Sequence, residues 1–165
     1  EITTTRDIAR QILRHRSFSF QEFSQRYANP DKELAGAFVT REARLQDPKN
    51  RQNSIEIESD PNIQLNTKQQ ELVTDWQRRQ HSVTNAAKVA YEWAIENGIA
   101  KEQARAVLPE GMTVSRMYMN GTLRSWAHFI SLRSGNGTQK ECMEVAKASA
   151  KALEPIFPMI VDFVK

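Results

Sequence analysis

The sequence predicts a single α+β domain, helix-rich with a small, mainly antiparallel sheet. Three observations predict it. Apolar residues recur at helical spacing in several separate stretches, three short stretches are β-branched or alternate, and 165 residues suffice for one sizeable core but not for two. The reading is therefore one domain over residues 1–165.

Ile2–Thr5 is β-branched and reads as the end of a strand, after which Ile8, Ala9, Ile12 and Leu13 follow at helical spacing. That helix ends near Arg14, where cations suit the negative end of the helix dipole by roughly 0.3–1 kcal/mol. Residues 17–20 alternate serine and phenylalanine, as a strand or extended loop does, so Phe18, Phe20 and Phe23 are candidate core. Residues 28–65 are rich in Asn, Asp, Pro, Gln and charge with little periodicity, and read as one long irregular loop. Asn66 or Thr67 can cap a long helix with Val73, Trp76, Val83, Ala87, Ala90 and Ala94 on one face, stopped by Asn97-Gly98. A short helix over 101–108 ends at Pro109. Residues 113–119 read as a strand, and Asn120-Gly121-Thr122 as the turn into a helix with Leu123, Trp126, Ala127 and Ile130 inward. On that helix Arg124 and His128 are four apart and share a side away from the apolar stripe. Thr138 with Glu141 three residues on has the pattern of a capping box, opening a last helix through Val145, Ala146, Ser149, Ala152 and Leu153.

Composition narrows the function classes. The formal charge is +3 and the isoelectric point near 9.1, but 20 acidic residues accompany 23 basic ones. No broad polycationic tract of the nucleic-acid-binding kind is present, and small anionic ligands fit this balance better. A single cysteine, Cys142, excludes an intramolecular disulfide framework and favours a reducing, intracellular setting. No apolar run approaches the ~20 residues that span a bilayer, and no signal-peptide pattern opens the chain. The first residue is Glu1 rather than Met, so an N-terminal portion is expected to be missing.

Two polar clusters can carry chemistry. The first is the stretch RHRSFSFQEFSQRY, with Arg14, His15, Arg16, Glu22, Ser24 and Arg26; the second is Arg105, Arg124, His128 and Arg133. The first interleaves rings with charges and hydroxyls, a mixture poorly suited to a dry core. Arginine's planar fork binds phosphate and imide oxygens bidentately, whereas lysine offers a point charge. Clustered arginines therefore point to an oriented, phosphorylated, flat ligand, although each alone also suits a surface salt bridge. Standard catalytic arrangements are weak. Ser24 lacks nucleophile-elbow glycines, the three histidines lack metal-ligand spacing, and there is neither a glycine-rich phosphate loop nor a CxxC. The reactive groups of an enzyme with this sequence would come from a cofactor.

Arg14-His15-Arg16, seven intervening residues, then Ser24 with Gln25-Arg26-Tyr27 resembles the signature of the flavin-dependent thymidylate synthases. QARAVLP at 103–109 and GTLRSWAHFISLR at 121–133 resemble two further segments of that family, in the expected order. RHRSFSFQEFSQRY, KNRQNS and LRSGNGTQ look most like the branch carried by large algal viruses.

The resemblance implies that family's fold and the reductive methylation of dUMP to dTMP. Methylenetetrahydrofolate would give the carbon and NADPH would reduce FAD, in a cytoplasmic homotetramer whose sites lie between subunits. No nucleic acid, membrane or metal is implied. It places Gln11, Arg14, Glu22, Phe23, Ser24, Gln25, Arg26 and Arg105 at dUMP, with Ser24 and Arg26 on its phosphate and Arg105 reaching a phosphate from a neighbouring subunit. Arg14, His15, Arg16, Glu22, Thr122, Arg124 and His128 would contact FAD. Arg133 would be the catalytic residue, binding and polarising the uracil ring. Three positions depart from the family pattern: many members have asparagine at Thr122 and at Gln21, and histidine at Gly137. The family also has some tens of residues before the segment matching Ile2. Two rivals use the same residues differently. One is a non-catalytic nucleotide- or RNA-binding module with bases stacked on Phe18 or Phe20, the other a helical scaffold with interface salt bridges.

Overall fold

The computed structural model describes residues 1–26, 36–57 and 66–165. Tyr27 of the motif and parts of the 28–65 stretch lie outside the described residues.

Strand β5 (Val114–Asn120) is the centre of a three-stranded antiparallel sheet, between β1 (Ile2–Thr5) and β2 (Ser19–Glu22). The two neighbours share its length. β1 runs Ile2 opposite Met117 to Thr5 opposite Val114, and β2 runs Ser19 opposite Asn120 to Glu22 opposite Met117. Met117, met from both sides, is fully buried.

Helix α1 (Arg6–Ile12) follows β1 directly, and its Ile8, Ala9 and Ile12 join Met117 in one core with Phe18, with Ala127, Phe129 and Ile130 of α4 (Leu123–Arg133), and with Cys142, Ala146 and Ala150 of α5 (Lys140–Leu153). Ile160, in a 3-10 turn over Pro158–Phe163, completes it. Phe18 packs edge-on to Trp126 with ring centres 5.0 Å apart and lies against Phe129. This occupied ring has no face left for a base. The helix-rich α+β domain with a small antiparallel sheet is thus the observed architecture, and every strand read from the sequence is found.

Four local expectations are corrected. Within the span expected to be irregular, β3 (Arg44–Gln46) and β4 (Ser54–Glu56) pair as an antiparallel hairpin. Its loop is organised by Asp47, whose Oδ1 accepts from the backbone N–H of Lys49 at 2.8 Å and of Asn50 at 3.0 Å. These bonds favour the carboxylate and hold the Asp47 pKa below its ordinary value.

Helix α2 (Thr67–Glu96) starts at Asn66, which forms a reciprocal capping box with Gln69. Its buried face is Gln80, Thr84, Ala87, Tyr91 and Ala94, whereas Trp76 and Val83 are exposed. The rotation has a polar cause. The Gln80 amide brackets the backbone of Arg41, accepting from its N–H at 2.7 Å and donating to its carbonyl at 2.8 Å, so a buried amide replaces an apolar contact. Tyr91 and Ala94 pack with Ala104 of α3 (Lys101–Ala104), which passes into a 3-10 turn over Arg105–Val107. Leu123, expected inward on α4, is also exposed.

The capping box at Thr138 does not form. α5 begins after Gln139 with no side-chain cap. The Glu141 carboxylate that would have turned back toward Thr138 instead pairs with Arg44, and lies 3.9 Å from Arg41 Nε. Arg41 in turn grips Asp7 of α1 at 2.8 Å, so the hairpin segment is tied to both α1 and α5 by charge.

Candidate functional site

The RHR stretch lies in the connection between α1 and β2, where His15 is buried while Arg14 and Arg16 are exposed. The turn is closed by two main-chain bonds, His15 N–H to Ile12 O at 3.0 Å and Phe18 N–H to His15 O at 3.3 Å. They direct the imidazole inward, edge-on to Phe129 with ring centres 5.0 Å apart and planes at 84°. There His15 Nε2 accepts a hydrogen bond from Arg133 Nε at 2.9 Å. Burial first, then the positive fields of Arg133 and His128, push the His15 pKa below its ordinary value. The neutral imidazole with its proton on Nδ1 is the form that accepts this bond.

That contact merges the two sequence clusters, since Arg133 ends α4 and Arg124 and His128 stand exposed on the same helix. Arg124, His128 and Ser131 form the polar wall of a cleft of about 430 Å³, with Leu123, Ala127, Phe157 and Phe163 as the apolar wall. Among the described residues, Arg14, Arg16 and Arg124 form no ion pair with a carboxylate, which leaves their forks available to an anion. Arg124, unpaired in the wall of a half-apolar cleft, fits a ligand that carries both an anionic and an apolar part. Thr122 is the N-cap of α4, its hydroxyl accepting from Ser125 N–H at 3.2 Å. Its oxygen is therefore already engaged by the helix.

A second merger occurs at Glu102 of α3. Its carboxylate lies 3.3 Å from Arg26 Nη2, and its backbone carbonyl accepts from Arg105 Nε at 3.4 Å. Arg26 and Arg105 thus both contact Glu102, one at its side chain and one at its main chain. Ser24 lies in the same segment, its Oγ accepting from Arg26 N–H at 3.4 Å. Gln25 is buried, and its Nε2 has no hydrogen-bond partner among the described residues. A buried donor left open costs about 1–3 kcal/mol, which a bound acceptor removes.

The other motif residues are held from behind. Glu22 Oε1 accepts from Ser115 Oγ at 2.9 Å and lies 3.4 Å from Arg6 Nη1, while Gln11 Nε2 donates to Gln139 Oε1 at 2.8 Å. Phe23 is half-buried and extends the β2 pairing through its N–H to Arg116 O at 2.8 Å. Ser115, Arg6, Gln139, Glu102 and the two phenylalanines of the cleft were not singled out by sequence reasoning. None has local sequence neighbours that mark it, because each gains its partner through tertiary contact. Cys142 is fully buried in the core, and burial raises its thiol pKa, so it is no ready nucleophile.

Gly137 accounts for one departure from the family pattern. Its φ is +89°, in the region that favours glycine, so a side chain there would be strained.

Comparison with known proteins identifies the family. The family model for thymidylate synthase complementing protein matches residues 1–159. A flavin-dependent thymidylate synthase of Synechocystis is 47% identical over 97% of this chain, and a probable one of Paramecium bursaria Chlorella virus 1 is 43% identical over 97%. The chain spans 67% of the length of each. The crystal structure of a UMP/dUMP methylase from Streptomyces cacaoi, bound with 5-Br UMP, superposes with a TM-score of 0.75 at 26% identity, covering 98% of this chain and 69% of that one. The same enzyme bound with 5-Br dUMP gives 0.74. The chain belongs to the thymidylate synthase complementing protein family, that of the flavin-dependent thymidylate synthases.

Proposed function

We propose that this chain methylates dUMP to dTMP, taking the carbon from methylenetetrahydrofolate and reducing equivalents from NADPH through FAD, as a homotetramer with sites shared between subunits. The observation that carries the reading is the bond between His15 of the motif and Arg133, 118 residues later. It brings the signature stretch against the helix that bears the proposed flavin and uracil residues.

In this reading Ser24 and Arg26, joined by the Arg26 N–H to Ser24 Oγ bond, hold the phosphate, and Arg105 reaches a phosphate from a neighbouring subunit. Gln11, Arg14, Glu22, Phe23 and Gln25 shape the rest of the dUMP site, and the unpartnered Gln25 amide supplies a donor. Arg14, Arg16, Arg124 and His128 would hold FAD, with His15, Glu22 and Thr122 as the further contacts that the family resemblance implies. FAD, when bound, supplies the hydride chemistry that no amino-acid side chain offers. Arg133 places a fixed cation at a pyrimidine carbonyl, where it stabilises the enolate-like charge that builds as C5 becomes nucleophilic. The burial of Cys142 supports a route with no protein thiol attached to the ring. The buried Phe18 ring disfavours the RNA-binding alternative.

The test is direct. The full chain is incubated with FAD, freed of unbound flavin, and assayed for dUMP-dependent NADPH oxidation. A bound flavin spectrum with dUMP-dependent oxidation is expected; a folded protein that stays colourless and idle refutes the proposal.

A further inference from the structure

We propose that His15 is a positioning residue for Arg133, its Nε2 fixing the guanidinium so that the two terminal nitrogens face the substrate ring. This inference rests on the reading of Arg133 as the uracil-binding arginine. A guanidinium carries N–H donors on three nitrogens, and the 2.9 Å bond occupies the one nearest the chain. The outer edge, with its paired donors, stays free for the bidentate contact that a pyrimidine imide offers.

The acceptor is itself held. His15 is 9% exposed, is locked by main-chain bonds on both sides, and meets the edge of Phe129, a fully buried ring one helical turn before Arg133 on the same helix. Phe129 and Arg133 face one side of α4, so ring and guanidinium are registered to a common scaffold. A flexible arginine at a helix end gains from this one torsional anchor that its own element cannot supply.

The bond requires an unprotonated Nε2. Among the described residues, the charges that act on His15 are Arg133 and His128 on α4, while Cys142 on α5 feels the charges of Arg133 and Glu141. Arg133 and His128 both oppose a proton on His15, and burial opposes it more. When acid protonates the ring, Nε2 becomes a donor aimed at a cation, and the anchor is lost.

The experiment uses the FAD-loaded full chain as wild type, His15→Phe and His15→Gln. His15→Phe keeps a ring against Phe129 but removes the acceptor, whereas glutamine can place Oε1 near the position of Nε2. We expect His15→Phe to lower kcat for dUMP roughly 100-fold, the scale of a misplaced catalytic group, and to lose the acid limb of the kcat–pH profile. His15→Gln should recover most of the loss while also lacking that limb. Nitrogen NMR of the wild-type imidazole should show Nδ1 protonated and Nε2 bare at neutral pH. A folded His15→Phe with wild-type kcat, or a protonated Nε2 at neutral pH, overturns the proposal. If the variants do not fold, the imidazole signal decides. Absence of dUMP turnover in the wild type, with the tautomer as described, would instead refute the proposed function and leave the pair standing.

Discussion

Glu22 and Ser115 are bonded across the sheet: the Ser115 hydroxyl donates to Glu22 Oε1 at 2.9 Å, and Arg6 stands 3.4 Å from the same oxygen. Glu22 is opposite Met117, so Ser115 is its diagonal neighbour on β5. Arg6 holds this carboxylate, near the end of a short strand, from one side. Ser115, 1% exposed, restricts it from the central strand.

Ser115→Ala is therefore expected to weaken dUMP binding without touching the ligand. A hydrogen bond worth about 1 kcal/mol corresponds to about fivefold in affinity. Calorimetric titration of dUMP into the flavin-loaded protein checks this, and unchanged affinity would remove Ser115 from the site's support.

Gly121 joins β5 to α4 where Phe18 fills the space above it. A Cβ there would lie 2.6 Å from Phe18 Cε1 and closer still to Cδ1. Phe18 cannot withdraw, being wedged against Trp126 and Phe129. Gly121→Ala should destabilise by about 1–3 kcal/mol, the usual cost of overpacking, read as a lowered Tm. A Tm equal to that of the wild type would show the packing to be looser than described.

Stability should depend on the His15 proton. The folded state holds the imidazole pKa below the value of 6.5 typical of an unperturbed histidine. Between the depressed folded pKa and 6.5 the unfolded chain binds more protons, so stability rises with pH across this window and falls as pH drops below about 6.5. Thermal melts across this range should show the slope in the wild type and a shallower one in His15→Gln. Equal slopes would mean that other groups carry it.

The helices and outer strands were legible because each carries its own period: Ile8, Ala9 and Ile12 on α1, the β-branched Ile2–Thr5, and the Asn66 cap of α2. The β3–β4 hairpin was not, since each strand has three residues, largely exposed, with no apolar alternation to read. The buried face of α2 has no apolar signature at Gln80, which is buried by its bonds to the Arg41 backbone and not by its own hydropathy. The site divides in the same way. Its residue types and order were visible in the motif spacing. The pairing of His15 with Arg133, and of Arg26 with Glu102, depends on chain crossings that no local pattern encodes.

The proposed activity is methylation of dUMP, with Arg133 as the group that polarises the ring. The most direct measurement is chromatographic quantification of dTMP formed from dUMP by the FAD-loaded full chain, given methylenetetrahydrofolate and NADPH, with Arg133→Ala in parallel. The wild type should yield dTMP, and a folded, flavin-loaded Arg133→Ala protein none above background. No dTMP from a folded, flavin-loaded wild type, or undiminished dTMP from the variant, would contradict it.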